Sequence, residues 1–225
     1  FIINENSGVD TDVEMYGYQG AMNVSTYGFG TEMPVDLTGA VSFYEYTNWG
    51  QTVVSNTTGV SLLRTNTLIA DDFRIIDFYP EAQFFVNRTP VTLWYNYVQN
   101  LGNVGTEDII GSSNRDIHDT DEAWGVGIKI GKAKKKGGWE AFYGYYEIGA
   151  NSVVAAFNDS DFGGPASAGY TNRQGHKFGV GCALTDAIMV NWTGYMVTPL
   201  NPNTAVANSL NETVFRSQAD LVYKF

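Results

Sequence analysis

From residue 214 to 225 the chain reads V-F-R-S-Q-A-D-L-V-Y-K-F, and its two parities differ in character. Phe215, Ser217, Ala219, Leu221, Tyr223 and Phe225 form a largely apolar and aromatic set. Arg216, Gln218, Asp220, Val222 and Lys224 form the other, with four polar or charged groups. Successive side chains of a strand point to opposite faces, so this alternation predicts a strand with one greasy and one wet face. A half-buried strand of a water-soluble sheet shows the same alternation. The length favours a tilted crossing of the bilayer core, for which about 10 residues are enough.

The pattern recurs upstream. In 187–198, Ile188, Val190, Trp192 and Met196 oppose Asn191, Thr193 and Tyr195. In 176–184, Phe178, Val180, Cys182 and Leu184 oppose Lys177, Gly179, Gly181 and Ala183. In 123–132, Trp124, Val126, Ile128 and Ile130 oppose Gly125, Gly127, Lys129 and Gly131. In 91–100 the polar side also receives Trp94 and Val98, and in 73–86 it mixes Asp77, Glu81 and Gln83 with Tyr79 and Phe85. Segments 37–47 and 13–24 are weaker versions, and 139–148 (W-E-A-F-Y-G-Y-Y-E-I) is strand-like without assignable faces. The prediction is nine strands and an all-β chain. Glycine weakens a strand, so its repetition opposite an apolar face needs a reason. Close packing inside a curved barrel wall supplies one; a tight soluble sandwich supplies another.

The links between segments are short at 87–90, 133–138 and 185–186, and long at 48–72, 101–122, 149–175 and 199–213. Only 25–36 is intermediate. Outer-membrane barrels pair short periplasmic turns with long external loops, and a soluble sheet has no reason to keep such a two-sided asymmetry. Nine crossings are odd, whereas bacterial single-chain barrels have even counts, and open edges in lipid leave backbone groups unpaired. The expectation is therefore that 1–225 is the C-terminal portion of one transmembrane antiparallel up-and-down β-barrel of about 16 strands.

Composition narrows the classes further. Every apolar run stops short of the about 20 residues that a spanning helix needs, and Phe1-Ile2-Ile3-Asn4-Glu5 does not read as a signal peptide. Charged residues are 16%, below the usual quarter, beside 25 Gly, 14 Tyr, 13 Phe and 5 Trp. The net charge of −11 disfavours nucleic acid as a partner. The single Cys182 cannot form an internal disulfide.

If the wet face lines a pore, Glu81, Lys129, Lys177, Asn191, Arg216, Gln218, Asp220 and Lys224 are its expected lining, with Asp77 secondary. Charged rings set ion preference in pores. The plainer reading is that these groups only bridge neighbouring strands. Asp159 and Asp161, beside Gly163-Gly164, either fold a long loop inward as a constriction or make an ordinary Asx turn. The acidic stretch 107–122, with Glu107, Asp108, Asp116, Asp119, Asp121 and Glu122, has oxygen ligands for Ca²⁺ or Mg²⁺ but no EF-hand spacing. A solvated loop is the simpler reading, and no resident metal is assigned. Lys132, Lys134, Lys135 and Lys136 fall in a short turn. His118 and His176 are the only histidines, and G-x-S-x-G is absent, so no catalytic residue is assigned. A hydrolase site using His176 at the rim is the residual enzymatic reading.

The stretch Gly127-Ile128-Lys129-Ile130-Gly131-Lys132-Ala133-Lys134-Lys135-Lys136-Gly137-Gly138-Trp139-Glu140 resembles a hairpin of the Putative porin family of bacterial outer membranes. Residues 156–164 (A-F-N-D-S-D-F-G-G), 175–186 (G-H-K-F-G-V-G-C-A-L-T-D), Pro90-Val91-Thr92-Leu93-Trp94 and Gln218-Ala219-Asp220-Leu221 are similar to it too. The resemblance covers roughly 71–225. It implies a longer chain with a signal peptide, a passive pore and no catalytic residues. Phe225 resembles the aromatic end recognised by the barrel-assembly machinery. The expectation is a Gram-negative outer-membrane porin, a water-filled diffusion channel for small hydrophilic solutes and ions, without a cofactor. Its partners would be outer-membrane lipid, lipopolysaccharide and solutes, with homo-oligomerisation open. The competing expectation is a non-conducting barrel that binds partners through external loops or sheathes a periplasmic protein.

Overall fold

The computed structural model describes residues 2–4, 13–27, 34–47, 73–102, 121–163, 170–200 and 212–224. They form one ten-stranded sheet in which each strand lies beside the next in sequence, and every pairing is antiparallel. The strands are β1 (Ile2–Asn4), β2 (Val13–Thr26), β3 (Val35–Thr47), β4 (Phe73–Val86), β5 (Thr89–Asn100), β6 (Glu122–Gly131), β7 (Trp139–Ile148), β8 (Arg173–Ala183), β9 (Ile188–Pro199) and β10 (Val214–Tyr223). Apart from one 3₁₀ turn at Ala155–Phe157, no helix occurs among the described residues. The sheet is open there, with β1 and β10 at its edges.

The nine expected segments correspond to β2–β10, and the three-residue β1 is an addition. Other differences are local. Strand β8 starts at Arg173 because Arg173 and Gln174 pair with Pro199 and Thr198. The β4–β5 turn is only Asn87-Arg88, both at positive φ (47° and 72°). Two successive left-handed residues make the turn whose twist matches a two-residue hairpin. Lys224 lies beyond β10, its backbone nitrogen donating to the Ala187 carbonyl at 2.8 Å.

Register resolves the faces of every full-length strand, because directly paired residues share a face. Val41, Phe78, Tyr97 and Trp124 lie on one face, continuing through Tyr145, Phe178, Trp192 and Leu221. Among the described residues, every large apolar strand residue that is exposed belongs to this face, from Tyr18 (66%) to Leu221 (73%). The opposite face carries Gln19, Ser42, Asp77, Lys129, Lys177, Asn191 and Arg216. Strand β7, unreadable from sequence, places Glu140, Phe142, Gly144, Tyr146 and Ile148 on this second face, and Trp139, Ala141, Tyr143 and Tyr145 on the first. Aromatics on both sides had hidden the alternation.

The core lies on the second face, towards the end where the long links emerge. Val13, Tyr46, Phe73, Ile75, Val98, Ala123, Ile148, Tyr195 and Val197 pack there with Val154 and Phe162 from the β7–β8 link. That link folds back over the sheet instead of standing away from it.

Candidate functional site: the inner wall and its folded loop

The β7–β8 link spans 149–172 and is pinned at its root by side chains. The buried Asn100 receives the backbone N–H groups of Arg74 and Gly102, and its amide donates to the Asn151 carbonyl at 2.9 Å. The Thr171 hydroxyl donates to the Ala150 carbonyl at 2.8 Å. Farther along, Phe157 stacks on Tyr46 of β3 with ring centres 6.4 Å apart, and Phe162 meets Tyr146 of β7 edge-on at 5.4 Å. Gly163 closes the described run at φ 99°, with Val197 2.7 Å from where a Cβ would sit. Only glycine tolerates both conditions.

The tip of the link carries two carboxylates onto β8 and β10. One Asp159 oxygen accepts the Asp161 backbone N–H at 2.9 Å, which is an Asx turn. The other pairs with Lys177 Nζ at 2.9 Å. Asp161 accepts from Arg216 at 2.6 Å and from the Gln218 amide at 2.7 Å, and Arg216 also donates to the Ser160 carbonyl at 3.0 Å. The Asx turn shapes the tip, and the remaining oxygens dock it on β8 and β10. Hydrogen bonding from Gln218, reinforced by Arg216, holds the Asp161 carboxyl below the usual carboxylate range despite desolvation. Register builds the receiving row, since Lys177 pairs with Tyr195 and Tyr195 with Arg216. Lys177 Nζ lies 5.2 Å from the Tyr195 ring centre.

The other expected lining residues are placed as follows. Lys129 bridges to Glu140 on β7 at 3.1 Å, the neighbouring-strand reading. Glu81 accepts from the Tyr79 hydroxyl at 2.7 Å. Asn191 pairs with Asp220 in the β9–β10 register, near the short-turn end. Asp77 accepts from the Asn96 amide at 2.5 Å, and that amide also reaches the Phe78 carbonyl at 3.3 Å. The β4–β5 pairing skips Tyr79 and Pro80. Proline cannot donate to the ladder, so Asn96 serves the backbone at this break and fixes Asp77 as it does so.

Glu140, Asn96 and Tyr195 were not among the expected lining residues, although Tyr195 and Asn96 fall on the polar parity of their strands. Glu140 lay in the segment with unassigned faces; Pro80 inside a strand pattern was the available signal for Asn96. The inward glycines gain a reason here. A Cβ on Gly127 would meet the Trp94 ring at 2.4 Å and the Tyr143 carbonyl at 2.6 Å; one on Gly125 would meet Tyr146 at 2.7 Å. These glycines are a floor on which inward aromatic rings lie flat.

His176 lies on the apolar face, its Nδ1 2.8 Å from the Tyr143 hydroxyl and its ring 5.1 Å from Tyr145. It points away from Asp159 and Asp161, so the structure does not assemble the rim hydrolase site from these groups. His118 and residues 107–120 of the acidic stretch lie outside the described residues, as does Phe225. Among the described residues no group of three or more His, Cys, Asp or Glu is placed to hold a metal. Lys136 of the basic turn receives Asp186 of the adjacent turn on its backbone N–H at 2.8 Å.

No curated protein and no solved structure matches the chain significantly. The family model described as Putative porin matches residues 51–197, more than half of the chain. With its antiparallel up-and-down strands, the chain belongs to the Putative porin family.

Proposed function

We propose that this sheet is part of the wall of a larger outer-membrane β-barrel, of about 16 strands, and that the barrel is a water-filled pore for passive diffusion of small hydrophilic solutes and ions. The observation that carries this reading is the separation of the two faces. The exposed large apolar strand residues share one face, and over the middle and short-turn ends of the strands the charged and amide groups share the other. The apolar face carries charge only near the long-link ends, at Glu14, Glu45, Arg74, Glu122 and Glu147. A lipid-facing exterior and a wet lumen ask for that arrangement. Free edges at β1 and β10 in lipid would leave backbone donors and acceptors unpaired, which favours closure by further strands. In this reading the long links are external, the short turns periplasmic, and 149–163 is a constriction held by Asp159 and Asp161 against Lys177, Arg216 and Gln218. Glu81, Asn191 and Asp220 line the remaining path. The machinery is passive and needs no catalytic group.

The loop packed over the inner face also favours a second reading, a barrel occluded at that level and serving as a scaffold or sheath. Planar-bilayer recording of the purified full-length protein separates the two. Discrete open steps support the pore, and a silent bilayer containing correctly folded protein supports the scaffold.

A further inference from the structure

Between the 153–158 part of the folded loop and strands β2–β5 lies a cavity of about 470 Å³. Tyr44, Tyr46, Ile75, Val98 and Phe157 line it, with Asp77 contributing an acidic group. Ile75 and Val98 are buried, and Tyr46 and Phe157 are stacked. One Asp77 oxygen is taken by Asn96, and the second has no hydrogen-bond partner among the described residues. On the inner face of β2–β5 the charge has a single sign. The charged residues there are Asp36, Asp77 and Glu81, with no lysine or arginine; Arg74 pairs with Glu45 in the outward register.

We propose that this cavity is a solute subsite for primary amines carrying an aromatic or compact apolar body. The ammonium group would meet the open oxygen of Asp77, and the body would lie among Tyr44, Tyr46 and Phe157. A cavity of this kind, mostly apolar with a convergent acidic group, has the make-up of small-molecule sites. An ammonium beside a carboxylate makes a charge-assisted hydrogen bond, and nearby rings favour the cation further. An anion is opposed by Asp77. A neutral alcohol of the same shape gains the apolar contacts but not the ion pair. This assignment deepens the pore reading by naming a solute class and rests on it for biological meaning, but binding itself does not require an open channel.

Titration calorimetry on the full-length protein folded in detergent micelles tests it, with 2-phenylethylammonium as probe against 2-phenylethanol and phenylacetate. The expected result is binding of the ammonium at least about tenfold tighter than either analogue. Asp77→Asn, which keeps the side-chain shape, should remove that preference. Phe157→Ala should weaken the ammonium and the alcohol alike. Equal affinities of the three probes, absence of ammonium binding, or an unchanged preference in folded Asp77→Asn protein would overturn the proposal. A silent planar bilayer alongside normal calorimetry would sink the pore reading and leave the amine site standing. Open channels without ammonium preference would do the reverse.

Discussion

Between β2 and β5 the inner wall bears only acidic charges, Asp36, Asp77 and Glu81, and meets the folded loop through rings and an apolar cavity. Between β6 and β10 it bears Lys129, Arg173, Lys177 and Arg216 beside Glu140 and Asp220, and meets the same loop through two carboxylates. The first half holds the loop by apolar contact and, at its root, by the Asn100 amide on the Asn151 carbonyl, and keeps an open oxygen on Asp77. The second holds it by ion pairs, with Phe162 packed against Tyr146 beside them. The opposite face does not differ in this way. In both halves it is apolar over its middle and carries charge only near the long-link ends, at Glu14, Glu45 and Arg74 in one half and Glu122 and Glu147 in the other. One loop thus reads two chemistries at once, and the asymmetry belongs to the loop-bearing face alone.

That last point predicts the largest effects. Lysine at Val41 in the first half and at Val126 in the second should each destabilise the folded protein in bilayers by about 2–4 kcal/mol, if both sit near the midplane of one lipid-facing surface. Urea unfolding in lipid vesicles measures this, and a clear inequality would mean that the halves differ outside as well. Next in size is a glycine contrast. Gly127→Ala must displace the Trp94 ring or part β6 from β7, at roughly 1–3 kcal/mol for overpacking. Gly20→Ala meets nothing within 4 Å and should stay within about 0.5 kcal/mol. If both behaved alike, the aromatic-on-glycine floor would not be what distinguishes the second half.

A smaller stability effect is expected at the loop contact. Arg216→Gln removes a partly exposed ion pair, worth about 1 kcal/mol or less, but it should loosen the tip and raise single-channel conductance. Asp77→Asn in the first half should leave the conductance level unchanged. The reverse pattern would place the constriction on the other half. The smallest effect is a pH dependence. The Asp161 carboxyl is held below its ordinary value, so its docking is stabilising above about pH 3.9 and is lost only as pH falls through the depressed folded value. Conductance should therefore be steady through the ordinary carboxylate range and change below it. A transition centred at or above the ordinary value would contradict the bonding of Asp161 to Gln218 and Arg216.

Much of this wall was legible because a strand's period of two sorts side chains without knowledge of any neighbour. Phe215, Leu221 and Tyr223 parted from Arg216, Gln218 and Asp220 in sequence as they do in space. Legibility failed where both faces carry the same kind of residue, as in β7, and where a strand gains residues only from its partner's register, as at Arg173. It failed again at Asn96, whose task is set by a missing donor at Pro80 on another strand. The tip residues Asp159 and Asp161 were recognisable as a special pair, yet an Asx turn and an inward clamp have the same local spelling.

The sequence by itself determined the number of full-length strands, their two-sidedness and the alternation of short and long links, because each depends on local periodicity and turn chemistry. Only the tertiary structure decided that the β7–β8 link lies on the inner face, that Lys177, Tyr195 and Arg216 form one row, and that Trp94 rests on Gly127. Those outcomes depend on which strands stand side by side and in what register, and register is a property of pairs of segments that no single segment contains.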